Sequence, residues 1–218
     1  MRKDLFMSLR HQPKAALIND FSGFGRCSVT VALPIISQMK VQCCPVLTSV
    51  FSNHTGYPSF YFDDYTEKMP SYIAEWKKLN LHFECIAAGF LGSERQIEIV
   101  KNFIRDFKDE TTKVLIDPVM GDHGRTYQTF TPEMCSQMKQ LAHFADILTP
   151  NLTEACILTD TPYHDGHWQM SELSKLALSL IAMGPSKVVI TGVSMGTFIG
   201  NVICESGGTP SVVKRKRV

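Results

Sequence analysis

The residues able to do chemistry in this chain fall into five short runs, each next to an apolar, strand-like segment. Phe51-Ser52-Asn53-His54-Thr55-Gly56-Tyr57 joins aromatics, hydroxyls, an amide and an imidazole around a glycine. Those types suit a small polar aromatic ligand. Asp117-Pro118-Val119-Met120-Gly121-Asp122 sets two carboxylates about a turn, and hard oxygen donors of this kind hold a divalent cation or its waters. In Thr149-Pro150-Asn151-Leu152-Thr153-Glu154 the residues Asn151 and Glu154 stand three apart, so a helix starting there shows both on one face. Asn19-Asp20-Phe21-Ser22-Gly23-Phe24-Gly25 carries glycines that let a backbone approach a ligand closely, and Thr191-Gly192 closes the apolar run from Lys187. Each run also has a plainer reading. Glycine turns between strand and helix are common, an Asp beside Pro caps turns, and Thr153-Glu154 suits a helix N-terminus through its dipole.

The elements that must position these runs alternate in type. Strands are expected at Lys14–Asn19, Val41–Val50, Cys85–Ala88, Lys113–Asp117, Asp146–Thr149 and Lys187–Thr191. Helices are expected at Ser28–Met39, Thr66–Leu79, Ser93–Phe107, Pro132–Ala142, Ala155–Leu158 and Met170–Met183. Such alternation predicts a three-layer α/β/α fold with a mainly parallel central sheet, because each crossover lays a helix back on the sheet. Ligands then bind outside the carboxyl ends of the strands, where the five runs stand. The last stretch differs. Gly196–Cys204 and Val212-Val213 flank the turn Ser206-Gly207-Gly208-Thr209-Pro210 with no helix between them and predict a small antiparallel portion. No composition shift marks a boundary, so residues 1–218 are expected to form a single domain.

With 22 basic against 21 acidic residues, a net charge of +1 gives no global attraction to nucleic acid or to an anionic membrane, and neither partner is expected. No apolar run approaches the ~18 residues of a membrane helix, and Met1-Arg2-Lys3-Asp4-Leu5 begins no leader pattern; the expected location is cytoplasmic. Seven cysteines without a C-x-x-C pair predict free thiols. His164-x-x-His167 sits in loop-like sequence and is not expected to bind metal. The basic run Lys214–Arg217 reads better as charges alternating across a strand than as an address signal.

Taken in order, F-S-N-H-T-G-Y, G-F-L-G-S, D-P-V-M-G-D, T-P-N-x-x-E and V-V-I-T-G resemble the vitamin B6 (pyridoxal, pyridoxine, pyridoxamine) kinases of the ribokinase-like superfamily, over nearly the whole chain from Lys14. The resemblance implies ATP-dependent phosphorylation of the 5′-hydroxymethyl of a B6 vitamer, with ATP, Mg²⁺ and a monovalent cation such as K⁺. It implies substrate contacts from Asp20, Ser52, His54, Thr55 and Phe90, and nucleotide contacts from Asp117, Asn151, Thr191 and Gly192. Metal contacts fall to Asp122, to Thr149 for the monovalent ion, and to Glu154 through water. Tyr127 either lines the same site or packs as a turn residue. A homodimer is implied as well. Two positions depart from the pattern: Asp20 stands where many members have Ser, and Phe90 where many have Tyr. The Gly-[Thr/Val]-Gly-Asp turn that supplies the family's base is not in this sequence, so no catalytic base is assigned and it is expected beyond Val218. The alternatives are a hydroxymethylpyrimidine kinase of the same superfamily, or a non-catalytic protein that binds vitamer or nucleotide.

Overall fold

In a computed structural model that describes residues 12–127 and 130–217, the chain divides into two compact units, residues 1–113 and 114–218. The opening residues Met1–Leu5 and the terminal Val218 lie outside the described residues.

The first unit is built on β1 (Lys14–Ser22), whose Ala15, Ala16, Leu17 and Ile18 are all buried. A continuous apolar run marks a strand covered on both faces, as parallel sheets require. It pairs in parallel with β2 (Gln42–Phe51) and with β4 (Cys85–Ala88), and β2 pairs antiparallel with β3 (Phe62–Asp64), in the order β4-β1-β2-β3. The helices are α1 (Ser28–Gln38), α2 (Met69–Lys78) and α3 (Glu94–Phe107). Ser93 caps α3 by accepting from the Gln96 N–H, and Ile97, Val100, Ile104 and Phe107 form its buried stripe. Helix α2 starts at Met69 rather than at Thr66. The Thr66 N–H and hydroxyl both bond the Asp64 carboxylate, at 2.9 and 2.6 Å, and Pro70 then fits the first helical turn.

The second unit places β5 (Lys113–Ile116), β8 (Ile147–Leu148) and β9 (Lys187–Met195) in parallel. Beyond β9 lie the antiparallel strands β10 (Phe198–Glu205) and β11 (Ser211–Lys216), as the turn chemistry predicts. The basic tail thus lies in a strand through Lys216, with Lys214 over the Phe198 ring. A two-stranded hairpin, β6 (Gly121–Asp122) with β7 (Arg125–Thr126), was not expected. The helices are α4 (Pro132–Ala142), capped by Thr131; α5 (Leu152–Leu158), three residues longer at its start than expected; and α6 (Met170–Ala182). All seven cysteines are free thiols.

Candidate active site

In the first unit the candidate residues gather at the carboxyl ends of β1 and β2. The two strands continue their pairing beyond their ends as loops: Gly23 N–H donates to Phe51 O, Phe24 N–H to Ser52 O, and His54 N–H back to Phe24 O, at 3.0, 3.1 and 2.8 Å. Two glycines make this closeness possible. A Cβ on Gly23 would stand 2.9 Å from Ser52 O, and one on Gly25, whose φ is +115°, would stand 2.7 Å from the His54 Cβ.

Within the second loop His54 Nδ1 accepts from the Gly56 N–H at 3.0 Å, so the neutral ring carries its proton on Nε2. Thr55 is exposed. The Ser52 hydroxyl is taken up by the loop itself, donating to Asn53 Oδ1 at 2.6 Å and accepting from Tyr61 N–H at 2.8 Å. Phe90 is pinned through its backbone. Its N–H donates to Asn19 Oδ1 and its carbonyl accepts from Thr48 Oγ1, while its ring lies 6.0 Å from that of buried Phe51. Asp20 is 95% buried, on its relative exposure of 5%, and Oδ2 accepts from Ser22 Oγ at 3.0 Å. A cavity of about 450 Å³ lined by Gly23, Phe24, Gly25, Arg26 and Thr30 adjoins this loop pair. The sequence reading missed Asn19, whose amide oxygen serves both the Asp20 and Phe90 N–H groups.

In the second unit the candidates gather where β5, β8 and β9 end. Asn151 and Glu154 form a reciprocal cap of α5: Asn151 Oδ1 accepts from Glu154 N–H at 3.0 Å, and Glu154 Oε2 from Asn151 N–H at 2.7 Å. Both then reach across to the 117–122 run. Glu154 Oε1 accepts from Met120 N–H at 3.1 Å, and Asn151 Nδ2 donates to Gly121 O at 2.7 Å. Thr149 Oγ1 faces the Ile116 carbonyl at 3.4 Å. Thr191 sits beside Asn151 in a parallel bridge and bonds Pro150 O through its N–H at 2.8 Å. Gly192, with φ at +70°, gives its N–H to Asn201 Oδ1 at 3.2 Å, and nothing lies within 4 Å of where a Cβ would stand. That leaves bare backbone and open space beside Thr191. Asn201 carried no signal in the sequence, and Thr153, read there only as a helix-start residue, accepts from Gly124 N–H at 2.8 Å.

The electrostatics of this cluster are those of crowded, buried acids. Burial pushes the Asp117 carboxyl up to about 6, and its side chain has no hydrogen-bond partner among the described residues. Burial likewise pushes Glu154 up to about 8, with the Asp117 charge adding and the N–H groups of Asn151, Met120 and Gly121 opposing. The Tyr127 hydroxyl is raised by burial and, after that, by the charges of Glu154, Asp122 and Asp117. Asp122 is half exposed and accepts from the His123 N–H at 2.7 Å. Neither Asp117 nor Glu154 has a Lys, Arg or His ion-pair partner among the described residues. Asp117 and Glu154, gathered without a counter-charge, fit a cation, while Asp122 faces His123 Nε2 at 3.6 Å. No group of three or more His, Cys, Asp or Glu side chains able to ligate a metal directly is found among the described residues, so the fit is to a largely hydrated ion.

A cavity of the second unit, about 530 Å³ between α4 and α5, is lined by Cys135, Lys139, Cys156 and Tyr163 among others and by none of the residues expected at the site. His164 serves packing. Its ring stacks on Trp168 at 4.1 Å and its Nε2 stands 3.3 Å from Glu172.

Residues 33–218 match the phosphomethylpyrimidine kinase family. The chain belongs to that family. Its curated relatives include a pyridoxal kinase of Arabidopsis thaliana, 30% identical over 78% of this chain and 56% of the relative. A Bacteroides thetaiotaomicron protein assigned as a phosphomethylpyrimidine kinase, crystallised with pyridoxal, is 42% identical over 94% of this chain and 73% of its own, with a TM-score of 0.89. The pyridoxal kinase of Lactobacillus plantarum superimposes with a TM-score of 0.85 at 28% identity over 94% of this chain and 73% of its own. The fold is therefore the α/β fold of the ribokinase-like kinases. The chain spans about half the length of the curated relatives it matches.

Proposed function

We propose that this family member is an ATP-dependent kinase of a B6 vitamer, acting in the cytoplasm on the 5′-hydroxymethyl group. The observation that carries the reading is the Phe51–Tyr57 loop, fixed against Gly23–Gly25 so that His54 Nε2 and the Thr55 hydroxyl stay available to a polar ring. Pyridoxal in the crystals of the Bacteroides relative supports the substrate class. On the nucleotide side, Asn151 Nδ2 keeps a second N–H beyond the one given to Gly121 O, the Thr191 hydroxyl has only a 3.4 Å contact to Pro150 O, and Gly192 leaves open space beside them, an arrangement suited to phosphate oxygens. Asp117, Asp122 and Glu154 would hold Mg²⁺ through its waters, and that ion would supply charge neutralisation at the transferring phosphoryl. Thr149 is the oxygen donor for a monovalent cation.

The match to a family described for phosphomethylpyrimidine favours one other substrate, hydroxymethylpyrimidine. Calorimetric titration of the chain with the three vitamers and with 4-amino-5-hydroxymethyl-2-methylpyrimidine decides between them. At least one vitamer is expected to bind about tenfold or more tightly than the pyrimidine, a difference of about 1.4 kcal/mol. Tighter binding of the pyrimidine would hand the site to the second reading.

We also propose a homodimer formed through α1. Its eleven residues, Ser28–Gln38, contain no charge, and Val31, Leu33 and Ile35 stand exposed. Val31 and Ile35, one turn apart, share a face, and an exposed apolar pair of this kind suits an isologous contact with a second copy. Sedimentation at micromolar concentration should give a dimer, and Ile35→Glu a monomer with an unchanged circular-dichroism spectrum. A wild-type monomer would end this proposal.

A further inference from the structure

Asp20 is an acid whose setting is incomplete. It lies 95% buried at the end of β1, no ion pair among the described residues involves it, and its single side-chain partner is the Ser22 hydroxyl on Oδ2. Oδ1 accepts nothing, yet it is not sealed in, since Ser49 Oγ is the sole fully buried side-chain oxygen or nitrogen without a partner among the described residues. That second orphan lies on the neighbouring strand, across from Asp20 in the backbone register. The β1–β2 register runs from Asn19↔Leu47 to Phe21↔Val50, so Asp20 alone stands opposite the pair Thr48-Ser49. An irregularity of this kind turns a side chain away from the regular pleat, and such bulges gather beside binding sites. Thr48 is already spent on the Phe90 carbonyl. What remains is a carboxylate oxygen and a hydroxyl, both short of a partner, on the strands that lead into the loop pair assigned to the vitamer by the B6 reading.

Leaving a charge buried with one neutral donor is costly, and a cationic donor brought by the ligand offsets that cost. We infer that Asp20 selects the vitamer, favouring one with a protonated aminomethyl group over those with a hydroxymethyl or an aldehyde. The inference rests on the B6 reading above. Chemistry sets the order. The ammonium group offers three N–H donors and a positive charge to Oδ1, and the hydroxymethyl offers one neutral donor. The aldehyde is an acceptor only and would face another acceptor. Pyridoxamine should therefore bind ahead of pyridoxine, and pyridoxine ahead of pyridoxal.

The test is calorimetric titration of the wild type, Asp20→Asn and Ser22→Ala with pyridoxamine and pyridoxine, which share the ring and differ in this substituent. Wild type is expected to favour pyridoxamine by about tenfold, the scale of a hydrogen bond to a charged group. Asp20→Asn should bring the ratio close to one. Ser22→Ala keeps the charge but takes away its only donor, so the preference should persist or grow; it gives an independent reading should Asp20→Asn fail to fold. Parity in wild type, an unchanged ratio in Asp20→Asn, or parity in Ser22→Ala would each overturn the role of Asp20 while leaving the kinase reading standing. Failure of all vitamers to bind wild type would instead overturn the B6 reading itself.

Discussion

Glu154→Ala is expected to lower the thermal midpoint by about 10 °C at pH 6, and by clearly less at pH 9. The carboxyl is 97% buried, on its relative exposure of 3%, and serves the backbone N–H groups of Asn151, Met120 and Gly121. Alanine leaves those donors without a partner in a place water scarcely reaches. Each orphaned buried donor costs about 1–3 kcal/mol, and some relaxation lets water recover part of it, so about 3–4 kcal/mol in total is expected. A chain of this size loses about 2–4 °C per kcal/mol. The pH dependence has a definite sign. Because burial raises the folded-state carboxyl to about 8 from an ordinary 4.5, its contribution to stability is fully present below 4.5 and is lost as pH rises through 8. Asp117, raised from 3.8 to about 6, adds a loss of the same sign between those values. The wild type should thus be more stable at pH 5 than at pH 9. At pH 9 the Glu154→Ala variant no longer buries that charge, which cancels part of its deficit. Thermal melts followed by circular dichroism at both pH values check this. Equal midpoints for wild type and variant at pH 6 would mean the α5 cap does not hold the 117–122 run.

What could be read from the sequence was whatever repeats along the chain. Ala15–Ile18 and Val188–Ile190 announce buried parallel strands by unbroken apolar character, and Ser93 followed by Ile97, Val100 and Ile104 announces a capped helix. Elements that depend on distant partners stayed hidden. The strand β9 runs past Gly192 because that glycine sits at a register shift opposite Asn201, a fact of the pairing with β10 and not of local composition. The hairpin of β6 and β7 has two residues a side, too few to show a period. Helix α2 begins late because Asp64 captures Thr66 first. The same division runs through the candidate site. The motif residues could be named because their types are unusual after a strand. The roles of Asn19 and Asn201 could not, and Thr153 only as a helix-start residue, since each acts by a hydrogen bond to backbone brought near only by the fold. Ser52 shows the converse: a motif residue whose hydroxyl the structure spends on its own loop.

Gly25→Ala should weaken vitamer binding by about 10- to 100-fold while leaving the chain folded. Two costs coincide at this position. Its φ of +115° is a conformation that side chains with a Cβ rarely adopt, a strain of about 1–3 kcal/mol. The new Cβ would also stand 2.7 Å from the His54 Cβ, a distance that forces one loop away from the other. The hydrogen bond from His54 N–H to Phe24 O is the contact placed to give way, and with it the position of the imidazole and of Thr55. Misplacement of about 1 Å in a positioning element is enough for a loss of about 100-fold. Gly207→Ala separates strain from displacement, because Gly207 has a φ of +75° but open space around its Cβ position. That variant should lose a few degrees of thermal stability, on the scale of about 1 kcal/mol, and keep wild-type affinity. Calorimetry on the two variants and a melt of each are sufficient. If Gly25→Ala bound a vitamer as tightly as wild type, the paired loops would not be what holds the ring, and His54 and Thr55 would have to be removed from the site.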